Sequence, residues 1–134
     1  MVLSCADGSA YSMMVGCGET YIAAFALAVG LGHVTAGLVG TIPLLIGGLL
    51  QLIGPKGAHW CGSYRRWVVG CATMQGLAFV PLAYGAWQAD ISVQTLFATC
   101  AIYWGFGMAA GPAWNSWIDR LIPREVLRPF FTVR

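Results

Sequence analysis

Glu19 is the residue of this 134-residue chain whose type and setting most clearly invite chemistry. It stands inside an apolar stretch, and no other acid or base falls near the middle of such a stretch. An ionised carboxylate at the centre of a membrane span costs about 3 kcal/mol on insertion scales. A side chain in that position responds by holding a proton. Two roles stand open for it. It could exchange a proton or hold a cation, or it could be a protonated carboxyl that hydrogen-bonds a neighbouring helix and only packs. Thr20 and Tyr21 add hydroxyls near the same level. Gly16, Ala23 and Ala26 keep that face narrow, so another helix can approach closely. Asn115 is the second candidate, either bonding across helices or contacting a substrate. It lies in Gly111-Pro112-Ala113-Trp114-Asn115-Ser116-Trp117, and the tryptophans there suit a membrane–water interface.

The elements that must position these residues are membrane helices. The chain is 58% hydrophobic and 9% charged, whereas a soluble domain is about 25% charged. Four apolar stretches, at about residues 9–30, 33–54, 67–87 and 92–117, reach the roughly 20 residues a helix needs to cross the hydrocarbon. They carry no polar stripe at helical spacing, which a soluble bundle would require. The expected fold is all-α: one integral membrane domain over residues 1–134, a four-helix bundle. Residues 31–32 and 88–91 make short turns, and residues 55–66 form a polar loop. Pro43 and Pro81 are expected to interrupt the second and third helices, and Pro112 to kink the fourth. Gly107 and Gly111, four residues apart, give the fourth helix a smooth packing face.

Charge placement orients the bundle. Lys56, Arg65 and Arg66 lie in the middle loop; Arg120, Arg124, Arg128 and Arg134 follow the fourth stretch; there is no other Lys or Arg. Basic residues are kept on the cytoplasmic side. The expectation is a multi-pass protein of a bacterial inner membrane, with both termini and the middle loop cytoplasmic. Labelling of Cys61 from the cytoplasm alone, and an extracytoplasmic signal from a reporter at Asp90, would follow. The five cysteines include no Cys-x-x-Cys pair and no His/Cys cluster at ligand spacing, so neither a metal nor another cofactor is expected. There is no phosphate-binding loop and no nucleophile–base pair, and an enzyme is not expected. The basic residues are few and tied to membrane flanks, which excludes nucleic acid and leaves the lipid bilayer as the first partner.

Three segments resemble the N-terminal part of bacterial major facilitator superfamily transporters. They are Gly18-Glu19-Thr20-Tyr21-Ile22-Ala23-Ala24-Phe25, then Gly62-Ser63-Tyr64-Arg65-Arg66, and then Gly111-Pro112-Ala113-Trp114-Asn115-Ser116-Trp117-Ile118-Asp119-Arg120-Leu121-Ile122-Pro123-Arg124-Glu125. The resemblance covers nearly the whole chain, and the order and spacing of the segments are more specific than any one of them.

The resemblance implies a secondary active transporter of a small molecule, with Glu19, Tyr21 and Asn115 as proton- or substrate-coupling residues. It also implies a cytoplasmic gate at Gly62, Arg65 and Arg66, with Asp119 as the natural carboxylate partner of either arginine. The family usually has an Asp where His59 stands, so part of that latch is missing. The family fold has two six-helix halves, each made of two three-helix inverted repeats. The resemblance therefore implies a partial transporter, truncated after its fourth helix and not competent alone. Its missing helices, or another membrane chain, would be its partners. Two other readings are carried. One is a small four-helix drug/proton antiporter acting as a dimer, with Glu19 as its essential acid. The one-sided basic residues and the sequence around Glu19 oppose it. The other is a non-transporting membrane subunit that uses Glu19 and the Gly107 face to bind partner helices.

Overall fold

A computed structural model describes the backbone over residues 2–121 and the side chains over residues 8–120. Arg124, Arg128 and Arg134, and the Ile122–Glu125 part of the third resembling segment, lie outside the described residues. Within them the chain is all-helical: α1 (Val2–Cys17), a 3-10 turn (Glu19–Tyr21), α2 (Ile22–Ala28), α3 (Gly32–Gln51), α4 (Gly54–Trp60), α5 (Tyr64–Leu77), α6 (Phe79–Gln88) and α7 (Val93–Leu121). Three helical rods are long and apolar enough to cross a membrane: Gly32–Gln51, Tyr64–Gln88 and Val93–Arg120. The chain is a membrane protein on that ground.

The first apolar stretch is broken where the sequence reading drew one helix. α1 ends at Cys17, Gly18 (φ −114°, ψ −72°) follows it, and the next three residues form a 3-10 turn. The hydroxyl of Thr20 donates to the Val15 carbonyl at 3.0 Å, satisfying an acceptor that the break frees. Gly18 also permits a close approach. A Cβ there would sit 2.7 Å from the Phe79 ring and 2.9 Å from the Met14 carbonyl oxygen.

The prolines divide. Pro81 cannot donate a hydrogen bond to the Leu77 carbonyl, and α5 stops at Leu77, with α6 beginning at Phe79. Pro43, by contrast, does not interrupt α3, which runs through it from Gly32 to Gln51. The neighbouring backbone bonds persist, as they must in lipid, and Thr41 donates back to Leu38 at 3.2 Å. Pro112 is likewise carried inside a continuous α7, where Ser116 donates to the Pro112 carbonyl at 2.9 Å.

Residues 55–66 are not simply a loop. Pro55 opens α4, where its missing N–H costs nothing. Gly54, Gly57 and Ala58 are buried, and Lys56, His59 and Trp60 are exposed. A side chain at Gly54 would meet the Ala109 carbonyl, and one at Gly57 the Trp67 ring, so only glycine lets α4 lie flat against α5 and α7. Gly62, at φ +63°, turns the chain into α5.

α7 is the central element, packing against α3, α4, α5 and α6. Two opposite faces are used. Towards α3, Gly47 lies against the Trp104 backbone, and Gly105 against Leu50. Towards α5, Gly107 receives Gln75. At the end bearing the turns after α2 and α6, Ile22, Ala26, Val39, Leu96 and Cys100 form the apolar core. Ala89 (φ 52°) closes α6 in a left-handed conformation, with Asp90 N–H donating to the Gly85 carbonyl at 3.2 Å.

Candidate functional site

The break in the first segment sets Glu19, half-buried, against α7. Gly18 admits the Phe79 ring, and Phe79 meets Tyr103 edge-on with centroids 5.2 Å apart. Tyr103, only 1% exposed, donates its hydroxyl to Glu19 Oε2 at 2.7 Å, which ties the first segment to α7. Gln75 of α5, 7% exposed, brings its amide close to the same Tyr103 hydroxyl. Gly107 makes room for that amide, since a Cβ there would sit 2.5 Å from Nε2. Gly18 and Gly107 thus let a half-buried carboxyl and a buried carboxamide converge on the buried Tyr103. Thr99 is the remaining buried polar side chain in the described core.

The depth of this cluster matters as much as its bonds. Tyr103 lies ten residues into α7, about 15 Å at 1.5 Å per residue, which is half the roughly 30 Å hydrocarbon core. Gln75 lies eleven residues into the Tyr64–Gln88 rod, about 16 Å on the same rule. A carboxyl, a phenol and a carboxamide therefore meet near mid-membrane, where unpaired polar groups cost several kcal/mol. Such groups, when paired, can hold a proton and pass it on.

Beside the cluster is a cavity of about 250 Å³ between α1, α5 and α7. Gln75 forms one wall, Tyr11 of α1 another, and Gly111, Trp114 and Asn115 of α7 a third. Gly111 has nothing within 4 Å of where a Cβ would point, so it contributes space. The described lining holds no charged side chain. It offers two carboxamides and two aromatic faces, which suit a small molecule with hydrogen-bonding groups.

Asn115 thus lines the same cavity as Gln75, whose amide lies near Tyr103. Tyr21 is 61% exposed and lines a different recess of about 110 Å³, with Ile22, Phe25, Phe79 and Leu82. At the proposed gate, Arg65 and Arg66 are exposed on the first turn of α5, and Asp119 is exposed near the end of α7. The described contact across this end belongs to Arg120. Its guanidinium stacks on the Tyr64 ring at 4.7 Å and reaches the Tyr64 hydroxyl at 3.5 Å. No group of three or more His, Cys, Asp or Glu that could hold a metal occurs among the described residues.

Sequence reasoning missed Tyr103 and Gln75. The available signal was depth: each is a polar side chain near the centre of its apolar stretch, as Glu19 is. No protein-family model, no curated protein and no solved structure matches the chain.

Proposed function

We propose that this chain is part of a proton-coupled secondary transporter of the major facilitator type, with Glu19 as its proton-exchanging group and not an enzyme. The observation that carries the reading is the hydrogen bond from Tyr103 to Glu19. It joins two membrane segments at a helix break, at mid-membrane depth, beside a cavity of molecular size. Broken helices with a buried ionisable group are the usual construction of such sites. Under this reading α1, the 3-10 turn and α2 make a fourth crossing, so the bundle has four spans. Substrate enters between Trp114, Asn115 and Gln75, and the state of the Glu19–Tyr103 pair governs which way the cavity opens.

The partners follow from the same geometry. Asn115 is exposed at the cavity rim and Gln75 forms its wall, a polar mouth unsuited to lipid. Further membrane helices cover it, supplied by another part of the transporter or a separate chain. The test is reconstitution into liposomes with an imposed pH gradient. The 134 residues alone give no saturable gradient-driven flux; with the assembly that supplies the remaining helices, flux appears. Saturable flux from these residues alone, lost in Glu19→Gln, would refute the partial-transporter reading and favour the small antiporter dimer.

Both ends on the cytoplasmic side of a bacterial inner membrane belong to the same proposal. Cys61 is exposed at the turn between α4 and α5. In a variant retaining only that cysteine, an impermeant maleimide labels inverted vesicles and leaves intact spheroplasts unlabelled. The reverse pattern would overturn the orientation.

A further inference from the structure

We propose that the groove between α3 and α7 binds one anionic phospholipid, its acyl chain along the groove and its phosphate at the Lys56 end. The groove lies on the face of α7 opposite the polar cavity and encloses about 290 Å³. Ile46, Leu50 and Ile53 of α3 and its end form one wall, Ile102 and Phe106 of α7 the other, and Trp67 lines the Ala109 end. It runs along α7 from Ala101 to Ala109, about 12 Å at 1.5 Å per residue. A helix with side chains is about 10–12 Å across, too thick for a slot of this volume. A single chain of methylenes fits it. The Trp67 indole N–H is already committed to the Ala109 carbonyl at 3.2 Å, so that wall presents no free donor there.

The Trp67 end of the groove adjoins α4, where Gly57 lies against the Trp67 ring, Gly54 and Ala58 are also buried and Trp60 is 79% exposed. An exposed tryptophan beside basic residues sits at headgroup depth. Lys56 follows Ile53 by three residues and stands on the same side of that turn. Arg65 and Arg66 immediately precede Trp67 and are exposed. Residues 53–67 carry these three cations and no acid. Asp119 is ten residues beyond Ala109, about 15 Å further along α7. An apolar slot with one end next to the chain segment that carries the exposed cations Lys56, Arg65 and Arg66 favours a negatively charged headgroup over a zwitterionic one. This inference does not depend on transport or on Glu19.

The test is native mass spectrometry of the purified chain with equimolar phosphatidylglycerol and phosphatidylcholine of matched acyl chains. Phosphatidylglycerol should be retained preferentially, by about fivefold for each basic side chain engaged. Lys56→Gln, at an exposed site, should lower that ratio by a similar factor. Ala101→Phe, which fills the slot, should lose the bound lipid, whereas Ala98→Phe, on an exposed part of α7 outside it, should keep it. A phosphatidylglycerol carrying a diazirine in its acyl chain should cross-link to α3 and α7 peptides of the unmodified protein. Equal retention of the two lipids, an unchanged ratio in Lys56→Gln, or cross-links concentrated on α5 and α6 would each overturn the proposal.

Discussion

Glu19→Gln is expected to bring gradient-driven flux to background in the complete assembly, while expression and membrane insertion stay unchanged. Gln has the same shape, and its carbonyl oxygen can still accept the Tyr103 hydroxyl that reaches Oε2 at 2.7 Å in the native protein. It cannot take up or release a proton. The variant therefore separates the two roles open to this residue. If Glu19 only packs, shape and hydrogen bond survive and flux continues. If it exchanges protons, flux stops although the fold persists. Tyr103→Phe provides the graded comparison. It removes the donor but keeps the ring against Phe79. Interhelical hydrogen bonds in membranes average about 0.6 kcal/mol, and soluble ones about 1 kcal/mol. A loss of about 1 kcal/mol in unfolding free energy is therefore expected, with partial flux. Flux would be followed with a pH-sensitive dye in proteoliposomes, and normal coupled flux by Glu19→Gln would reduce the site to packing.

The largest effect on stability is expected at Gly47. It is buried where α3 crosses α7, and a Cβ there would lie 2.9 Å from the carbonyl carbon and oxygen of Trp104. Those are backbone atoms of a continuous helix and cannot rotate aside. Overpacking of this kind costs about 1–3 kcal/mol and occasionally more. Gly47→Leu should fall at the upper end, about 3 kcal/mol, because the added atoms push the helices apart along their main seam. Gly48→Leu is the control, since Gly48 is exposed with nothing within 4 Å of its Cβ position. That change should be neutral or slightly stabilising, as glycine is a poor helix residue by up to about 1 kcal/mol. Reversible unfolding in mixed micelles, followed by tryptophan fluorescence, measures both. Equal losses would show that α3 and α7 do not meet as described.

Much of this was legible from residue types. Apolar length located the rods, and the acid among apolar neighbours located Glu19. Gly107 was recognisable as a place of close approach, although not as the seat of Gln75. What escaped notice was set by pairing between distant segments. At the break, Gly18 leaves the space that the ring of Phe79, sixty-one residues later, occupies, and no local pattern shows that contact. Pro43 and Pro81 look alike in sequence, yet α3 absorbs one and the α5–α6 rod breaks near the other. Arg120 on Tyr64 was hidden because a charge pair, not a cation on a ring, was the natural expectation at that end. α4 was read as loop because its glycines signal flexibility when seen alone, and packing when seen against Trp67 and Ala109.

The central place of α7 has a consequence for how the protein is made. α3 and α5 are joined chiefly through it, one on each of its faces. A nascent chain that has been synthesised only as far as residue 92 therefore holds membrane segments with little to bind them to one another. α7 is 29 residues long, and at about 5–20 residues per second its synthesis takes roughly 1.5 to 6 s. For that interval Gln75 and Glu19 lack Tyr103, and the insertion machinery must shelter polar groups that the finished protein shelters itself. Any pause in translation within this stretch prolongs the period in which membrane proteases can recognise an unassembled chain.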